Sequence, residues 1–355
     1  FSDADAGTHT ATVTGVSVSG AATGLPTSQT LLTLLALGTT TEPSGSTAGS
    51  IGWTFTAADK TFDYLAQGET VTITYAVQIG DGQGSVTQPV VLTITGTNDA
   101  PVVAAGTTAT GSVTELANTT GSTANDTSSG AIRFTDPDLN NVHTVAIASV
   151  TSSGVTGGLP NSATLLGWLT KGGTTEPNGT VAGTVPWSFA APDASFDYLG
   201  SGQTATLTYL VQVTDSAGAS FSQNVVITIN GTNDAAVVVV PGAQVARTST
   251  ATRLSGVSIN DVDANAGTQT ATLTASLGSL AVTTATGATV TGSASSTLKV
   301  SGTIAQVNAT LATLTYTGSS AGNDTISLSV NDGAQTTAKS IAVTTSANAN
   351  HGPVL

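Results

Sequence analysis

Apolar and polar residues alternate along much of this chain. In residues 71–79 and 207–213, apolar side chains occupy every second position and polar ones fill most of the positions between. A period of two is typical of a β-strand that turns one face toward a core. These stretches are short and are separated by clusters of Gly, Asn and Asp. The pattern therefore predicts an all-β chain of tandem antiparallel β-sandwiches, not a parallel sheet with crossover helices.

A few short stretches have a helical pattern instead. We predict helices over residues 29–36, over the matching residues 163–170, and over residues 304–314. None of them is long enough to change the fold class.

The chain also repeats itself. His9 recurs as His143 and Trp53 as Trp187, in each case 134 positions later, and the phrase Gly-Thr-Asn-Asp-Ala closes both copies. Self-similarity at a fixed distance indicates tandem modules. Nothing in the first copy matches residues 101–133, so we expect it to be truncated at its front. The predicted modules are residues 1–100, residues 101–235, a divergent module at 236–346, and the opening of a further one at 347–355.

Composition excludes several classes of protein. The 355 residues are enough for several cores, and the net charge of −14 would repel a nucleic-acid backbone. The absence of Cys excludes disulfides, thiol catalysis and Cys-ligated zinc. No apolar run approaches the roughly 18 residues of a membrane span. We therefore predict no nucleic-acid partner and no membrane span, and a Cys-free chain suits an extracellular location.

The acidic residues recur in three kinds of place: an Asp-x-Asp near the start of a module, an Asp at a strand end, and the Asn-Asp of the closing phrase. Such clusters repel one another unless a cation lies among them, and Ca²⁺ accepts about six to eight oxygens from flexible loops. A single Asp-x-Asp is also a common turn former, but its recurrence with the other two favours calcium. The residues in these places are Asp3, Asp5, Asp81, Asp99, Asp136, Asp138, Asp215, Asp234, Asp261, Asp263 and Asp332.

The order of these motifs resembles a known family. Gly-Thr-Asn-Asp-Ala-Pro-Val at 96–102, Gly-x-Val-x-Glu at 111–115 and Phe-x-Asp-x-Asp at 134–138 are similar to the VCBS and cadherin-like repeats of large bacterial adhesins exported by type I (RTX-type) secretion. The likeness covers residues 1–235, and the third module resembles an Ig-like family found in the same proteins. The resemblance implies Ig-like sandwiches stiffened by Ca²⁺ at the bacterial cell surface.

The resemblance also implies a ligand set for each junction between modules. For the first junction it nominates Asn98, Asp99, Glu115, Asp136, Asp138 and Asp215. For the second junction it nominates Asn233, Asp234, Asp261, Asp263 and Asp332. The third module reads Arg247-Thr248-Ser249-Thr250 where Glu115 would recur, so we expect the second site to be weaker or absent.

Three functions fit these observations. The first is a calcium-stiffened extender of a surface or secreted adhesin, which supports cell adhesion or biofilm attachment and whose partners are the neighbouring repeats. The second is a self-assembling filament or S-layer component, because few lysines guard the strand edges against pairing between copies. The third and weakest is a carbohydrate-binding module of a secreted enzyme.

We do not expect catalysis by this chain. His9 and His143 recur without a Ser-Asp constellation, which favours a structural role. Glu42 and Glu176 could pair with Asp63 and Asp197 as glycosidase acids, but catalytic pairs duplicated in tandem modules would be unusual. Trp53 and Trp187 could stack on sugars, yet both occupy apolar alternation positions, so we expect both in the core.

Overall fold

A computed structural model describes residues 1–5, 7–177, 180–264 and 267–347, and the predicted opening of a further module lies almost wholly outside these ranges. The fold is 51% strand and 8% helix, which confirms the all-β class. Buried apolar residues form three separate clusters, within residues 31–77, 113–229 and 236–343. Each cluster lies inside one predicted module, and we call residues 1–100, 101–235 and 236–346 modules 1, 2 and 3.

Module 1 contains two small sheets, in the orders β1-β4-β5 and β2-β3. Their core includes Ile73, Tyr75 and Val77, the apolar positions of the alternating stretch that predicted a strand. The elements are β1 (Thr10–Gly20), α1 (Ser28–Leu32), β2 (Leu35–Thr41), β3 (Ser50–Phe55), β4 (Thr70–Gly80) and β5 (Ser85–Thr95).

Module 2 repeats these elements and adds more, forming two four-stranded sheets in the orders β10-β11-β8-β6 and β7-β13-β12-β9. The elements are β6 (Val102–Val103), β7 (Thr110–Thr114), β8 (Asn125–Thr135), β9 (Thr144–Gly154), α2 (Ser162–Trp168), β10 (Leu169–Lys171), β11 (Ala182–Pro192), β12 (Thr204–Thr214) and β13 (Ser220–Asn230). Short 3-10 turns at Asp59–Thr61 and Asp193–Ser195 occupy matching places in modules 1 and 2.

Module 3 is built around a six-stranded sheet in the order β15-β24-β23-β18-β21-β20, with smaller sheets β16-β22-β19 and β14-β17. The elements are β14 (Val237–Val239), β15 (Gln244–Arg247), β16 (Thr252–Arg253), β17 (Ser258–Asn260), β18 (Gln269–Thr274), β19 (Gly278–Ala281), β20 (Thr289–Thr291), β21 (Thr297–Gly302), α3 (Ile304–Leu311), β22 (Thr315–Gly318), β23 (Gly322–Asn331) and β24 (Thr336–Ser346).

The three helices occur where the pattern predicts them but end earlier. The side chains of Thr27, Asn161 and Thr303 cap their N-termini. Strands β2 and β10 begin within the ranges predicted as helix, because Leu35 and Leu169 are buried in the cores as strand residues.

Two strand pairs are parallel, within sheets that are otherwise antiparallel as predicted. β7 runs parallel to β13, and β15 runs parallel to β24. The cause lies in the path of the chain: β7 and β13 both end at the junction with module 3, so they point the same way. The residues that follow β7 therefore lie at the end of module 2 that faces module 3.

The prediction that both tryptophans are buried is wrong for Trp53. The exposed fraction is 3% for Trp187 and 47% for Trp53. Trp187 lies on β11 between β10 and β8, and its Nε1 donates a hydrogen bond to the Thr108 carbonyl over 2.8 Å. In the described ranges β3 pairs only with β2, so nothing covers Trp53 from the other side.

Candidate metal centres at the module junctions

The predicted Asp residues lie in loops that the strands hold at the ends of the modules. Asp136 follows β8, and its Oδ1 accepts the Asp138 amide over 3.0 Å. Asp215 follows β12, and its Oδ1 accepts the amides of Ala217 and Ala219, both over 2.9 Å. The turn-forming interpretation of these residues is therefore correct for one oxygen of each carboxylate, which leaves the other oxygen for a second role.

At the first junction, carboxylate oxygens of Asp215 and Asp138 meet the linker between modules 1 and 2. Asn98 donates through Nδ2 to Asp215 Oδ2 over 2.9 Å, and the Asp99 amide donates to Asp138 Oδ2 over 3.0 Å. Asn141 bridges the two groups, donating to Asp138 Oδ2 and to Asn98 Oδ1. The linker is thus already held in place on the loops of module 2.

The second junction has the same arrangement. Asn233 donates to Asp332 Oδ2 over 3.2 Å, and the Asp234 amide donates to Asp263 Oδ2 over 3.2 Å. Asp332 closes its own hairpin through Oδ1, which accepts the Ala334 and Gln335 amides. The predicted three-part arrangement of linker, Asp-x-Asp and strand-end Asp therefore comes together twice.

A compact acidic group completes the second junction from the side of module 2. Ligand oxygens of Glu115, Asp197 and Asp234 all lie within 4.8 Å of one another, and the three residues are buried. Thr232 donates to Glu115 Oε2 through its amide and hydroxyl, over 2.9 and 2.6 Å. The Gly121 amide donates to Asp197 Oδ2 over 2.7 Å.

Several buried carboxylates at the junctions keep one oxygen without any protein partner. Each has its other oxygen hydrogen-bonded, and within the described residues none forms an ion pair with Lys or Arg. A buried, unpartnered anionic oxygen is costly unless a cation takes it up. These carboxylates are a donor set that suits a hard divalent cation such as Ca²⁺. The unpartnered atoms are Glu115 Oε1, Asp138 Oδ1, Asp193 Oδ2, Asp197 Oδ1 and Asp261 Oδ1.

The pKa values reflect the same electrostatic conflict. Burial, the largest cause, raises the pKa of Glu115 to about 7 and that of Asp138 to about 6. Burial together with the neighbouring Asp263 raises the pKa of Asp261 to about 7. Burial and the charges of Asp63, Asp136 and Asp59 raise the pKa of Asp99. Without a cation, these groups therefore lose their protons at a higher pH than an exposed carboxyl does.

The structure places Glu115 at the second junction, not at the first as we expected. Glu115 comes directly after β7, whose parallel course beside β13 brings it to Thr232 and Asp234. We expected a weaker second site because module 3 has Arg247 and its neighbours where a glutamate would recur. That reasoning no longer applies, since the second junction takes its glutamate, Glu115, from module 2.

Four acidic residues at the junctions were missing from our predicted set: Asp59 and Asp63 in module 1, and Asp193 and Asp197 in module 2. Asp193 is fully buried, and its Oδ1 accepts the Leu116 amide over 2.8 Å. A signal was available, since both pairs recur 134 positions apart in matching 3-10 turns and in the Phe-Asp-Tyr-Leu motif that follows. We considered Asp63 and Asp197 only as glycosidase acids.

Three other predicted residues of module 1, Asp3, Asp5 and Asp81, lie at its opposite end from Asn98 and Asp99. The Asp5 amide donates to Asp3 Oδ1 over 3.0 Å, as the Asp138 amide does to Asp136. Asp81 closes its hairpin by accepting the Gln83 and Gly84 amides. Asp3 and Asp81 line one cavity of about 300 Å³. This group repeats the arrangement of Asp136, Asp138 and Asp215, in the described chain without a module facing it.

The recurring histidines connect the Asp-x-Asp loops to a nearby glutamate. His143 Nε2 lies 2.8 Å from Asp136 Oδ2, and its Nδ1 lies 2.9 Å from Glu176 Oε1. His9 lies in the same way between Asp3 and Glu42, at 3.0 and 2.9 Å. In module 3, Gln269 donates to Asp261 Oδ2 over 2.7 Å in the place of the imidazole. The role of the ring is therefore to hold the first Asp of the loop.

Comparisons with known proteins show similarity of fold. Human CDH23 EC21-23 is 15% identical with a TM-score of 0.35, over 94% of this chain and 88% of that one. Zebrafish RET cadherin-like domains 1 to 4 are 11% identical with a TM-score of 0.25, over 95% of this chain and 66% of that one. The endo-fucoidan hydrolase MfFcnA4 is 16% identical with a TM-score of 0.23, over 95% of this chain and 39% of that one.

The chain therefore spans less than two thirds of either of these last two structures. No protein-family model matches the chain, and no curated protein matches its sequence. Similarity at these levels concerns the fold alone, so the functional argument rests on the junctions. In the described parts of the chain, no helix has the length and apolar character needed to cross a membrane.

Proposed function

We propose that this chain is an extracellular spacer whose module junctions bind Ca²⁺. The observation that supports the proposal is a set of buried carboxylate oxygens without protein partners, one at the first junction, from Asp138, and four at the second, from Glu115, Asp193, Asp197 and Asp261. We further propose, from the resemblance of its motifs, that it extends a large adhesin from a bacterial surface. Its role would then be mechanical rather than catalytic.

The chain's own residues explain how such a joint works. Asn98 and Asn233 fix the linkers on the following modules, while Asp197 and the linker residue Asp234 bring two negative charges close together on the module 2 side of the second joint. When bound, Ca²⁺ would supply positive charge that offsets the repulsion among these carboxylates, which would hold it through their oxygens. The residues that repel each other without the ion then become shared ligands, which restricts bending at the joint.

The energy involved is modest for one site but repeats along the chain. Extracellular calcium modules bind with dissociation constants of about 0.1–1 mM. At roughly 1 mM Ca²⁺, a site of about 0.1 mM stabilises the folded state by about 1.4 kcal/mol. Successive joints each contribute such an amount, and the segment becomes stiff along its length.

The test is the increase in melting temperature on adding Ca²⁺, measured by calorimetry on the whole chain. Asp63→Asn and Asp197→Asn remove one charge at matching places in the first and second junctions. We expect each variant to reduce the calcium-dependent increase, since each removes one anionic ligand, and the double variant to reduce it further. Isothermal titration would report the same loss as weaker Ca²⁺ binding.

Asp324→Asn is the matched control, because Asp324 is a buried carboxylate of module 3 whose oxygens are bonded by the Ser276, Leu277 and Thr325 amides and the Tyr316 hydroxyl. This variant should lower the melting temperature by a similar amount with and without Ca²⁺. An unchanged calcium increment in Asp63→Asn and Asp197→Asn, or no increment in the wild type, would refute the proposal.

A further inference from the structure

A short loop of module 2 closes over the acidic group of the second junction. This loop, residues 116–121, lies between β7 and β8, and we call it the strap. Its Leu116 amide donates to Asp193 Oδ1 over 2.8 Å. Its Gly121 amide donates to Asp197 Oδ2 over 2.7 Å. The strap therefore presents backbone donors to carboxylates of the proposed cation site.

Two residues give the strap the backbone shape that this task requires. Asn118 has a φ of 62° and Gly121 a φ of 77°, both in the left-handed region that Asn and Gly adopt more readily than other residues. Backbone amides beside left-handed residues converge into concavities that bind anions. The sequence of the strap thus suits it to hold carboxylates.

The strap holds the linker residue Asp234 by both of its carboxylate oxygens. The Thr119 amide donates to Asp234 Oδ1 over 2.8 Å, and the Thr120 hydroxyl donates to Asp234 Oδ2 over 2.9 Å. Asp234 is 1% exposed, and it forms the compact acidic group with Glu115 and Asp197. Because each of its oxygens has a donor of its own, the carboxylate cannot rotate without breaking a hydrogen bond.

We propose that Thr120 is a positioning residue for cation binding at the second junction and acts through Asp234. A carboxylate oxygen has two lone pairs, so an oxygen bonded to the strap can still bind a cation. Ligands that are held in place before the ion arrives lose less conformational freedom when it binds. Thr119 contributes only a main-chain amide, whereas the hydroxyl at position 120 depends on the residue type. This inference rests on the proposed calcium function.

The test measures Ca²⁺ binding at the second junction by itself, in the whole chain. The amide NMR signals of Gly121 and Thr232 report on this junction, because both amides donate to carboxylates of the acidic group. Thr120→Val keeps the branched shape and removes the hydroxyl, whereas Thr120→Ser keeps the hydroxyl. We expect Thr120→Val to raise the dissociation constant roughly tenfold, since it removes a hydrogen bond to a charged ligand. Thr120→Ser should bind Ca²⁺ nearly as the wild type does.

Two further variants separate positioning from a merely structural role. Thr313→Val is the matched control, because the Thr313 hydroxyl donates to the Thr310 carbonyl and accepts the Thr283 amide within module 3. This variant should leave the dissociation constant unchanged. In an Asp234→Ala background, Thr120→Val should weaken binding little further, because the hydroxyl then has no ligand to position.

A Thr120→Val protein that binds Ca²⁺ as tightly as the wild type would overturn the positioning role and leave the calcium function intact. An equal loss of affinity in Thr120→Ser would also overturn it, and so would a full additional loss in the Asp234→Ala background, since the hydroxyl would then act by another route. If the Gly121 and Thr232 signals of the wild type did not respond to Ca²⁺, both the positioning role and the proposed function would be refuted.

Discussion

Individual carboxylates at the junctions perform two tasks at once. One oxygen of Asp138, Asp197 or Glu115 accepts a hydrogen bond from a nearby amide or hydroxyl, and the other has no protein partner. The first task fixes the direction of the side chain before any ion arrives. The second leaves an anionic oxygen pointing into a crowded acidic space, where burial raises the pKa.

This arrangement predicts opposite pH dependences with and without Ca²⁺. The pKa values of Glu115 and Asp261 are raised to about 7, and that of Asp138 to about 6, from unfolded values near 4. The folded state then binds more protons than the unfolded state between about pH 4 and 7, so the free energy of unfolding falls as the pH rises through this window. Calcium-free protein should melt at a higher temperature at pH 5 than at pH 7.5.

In saturating Ca²⁺ the melting temperature should instead be higher at pH 7.5 than at pH 5, because the ion binds the ionised carboxylates and protons compete with it. The comparison requires thermal melts at both pH values, in chelator and in millimolar Ca²⁺. Glu115→Gln should weaken the pH dependence of the melting temperature in chelator, since it removes one of the groups with a raised pKa. Higher stability at pH 7.5 than at pH 5 in chelator would contradict this interpretation of the buried carboxylates.

At the level of strands and helices, the sequence predicted some features of the structure and missed others. Alternation identified the strands around residues 71–79 and 207–213 because it records the face on which a side chain lies. It does not record what covers that face, so it could not predict that Trp53 is exposed. The error over Glu115 has a related cause: it follows Asn98 and Asp99 closely in sequence, yet β7 leads away from that linker toward the other end of the module.

The Asp-x-Asp, strand-end Asp and Asn-Asp residues could be predicted because each lies in a short loop whose local hydrogen bonds depend on nearby residues. Asp193 and Asp197 were harder to assign, since their place beside Glu115 and Asp234 depends on how the 3-10 turn packs against the end of the sheet. Recurrence in sequence marked them as important without showing which end of the module they occupy.

The two junctions differ in one apolar contact, and this difference predicts different behaviour without Ca²⁺. At the first junction, Leu139 lies over Gly24 and Tyr64 of module 1, and its amide donates to the Tyr64 carbonyl over 3.2 Å. The second junction has Ala264 at the corresponding position after its Asp-x-Asp. We expect the first junction to keep more of its orientation in chelator, because burial of a leucine side chain does not depend on the ion.

The measurement uses pairs of nitroxide labels, which the Cys-free chain allows at introduced cysteines. Exposed Gln88, Ser222 and Ser340 provide one label position in each module. In chelator, the distance distribution between modules 1 and 2 should be narrower than that between modules 2 and 3. Leu139→Ala should broaden the first distribution in chelator and change it little in Ca²⁺. If the two distance distributions were equally wide in chelator in the labelled protein that retains Leu139, the role given to Leu139 would be contradicted.

On the scale of the whole molecule, the charge balance connects stiffness to solubility. Twenty-one acidic residues face seven Lys and Arg, so the modules of one chain and of neighbouring chains repel one another at low ionic strength. Ca²⁺ at the junctions removes part of this charge where it is densest. The same ion therefore either stiffens single chains or lets copies of the chain pack together, and these outcomes define a spacer and an assembling protein respectively.

Sedimentation and small-angle scattering on one sample distinguish the two. For a spacer, we expect a monomer in both chelator and millimolar Ca²⁺, with a larger and better-defined maximum dimension in Ca²⁺, because shared ligands restrict bending at each joint. Asp63→Asn combined with Asp197→Asn should retain the chelator profile after Ca²⁺ is added, while the Asp324→Asn control should respond as the wild type does. Identical scattering in both conditions would refute the stiffening, and large ordered species formed with Ca²⁺ would instead favour the filament or lattice, since attraction between copies would then outweigh the repulsion between chains.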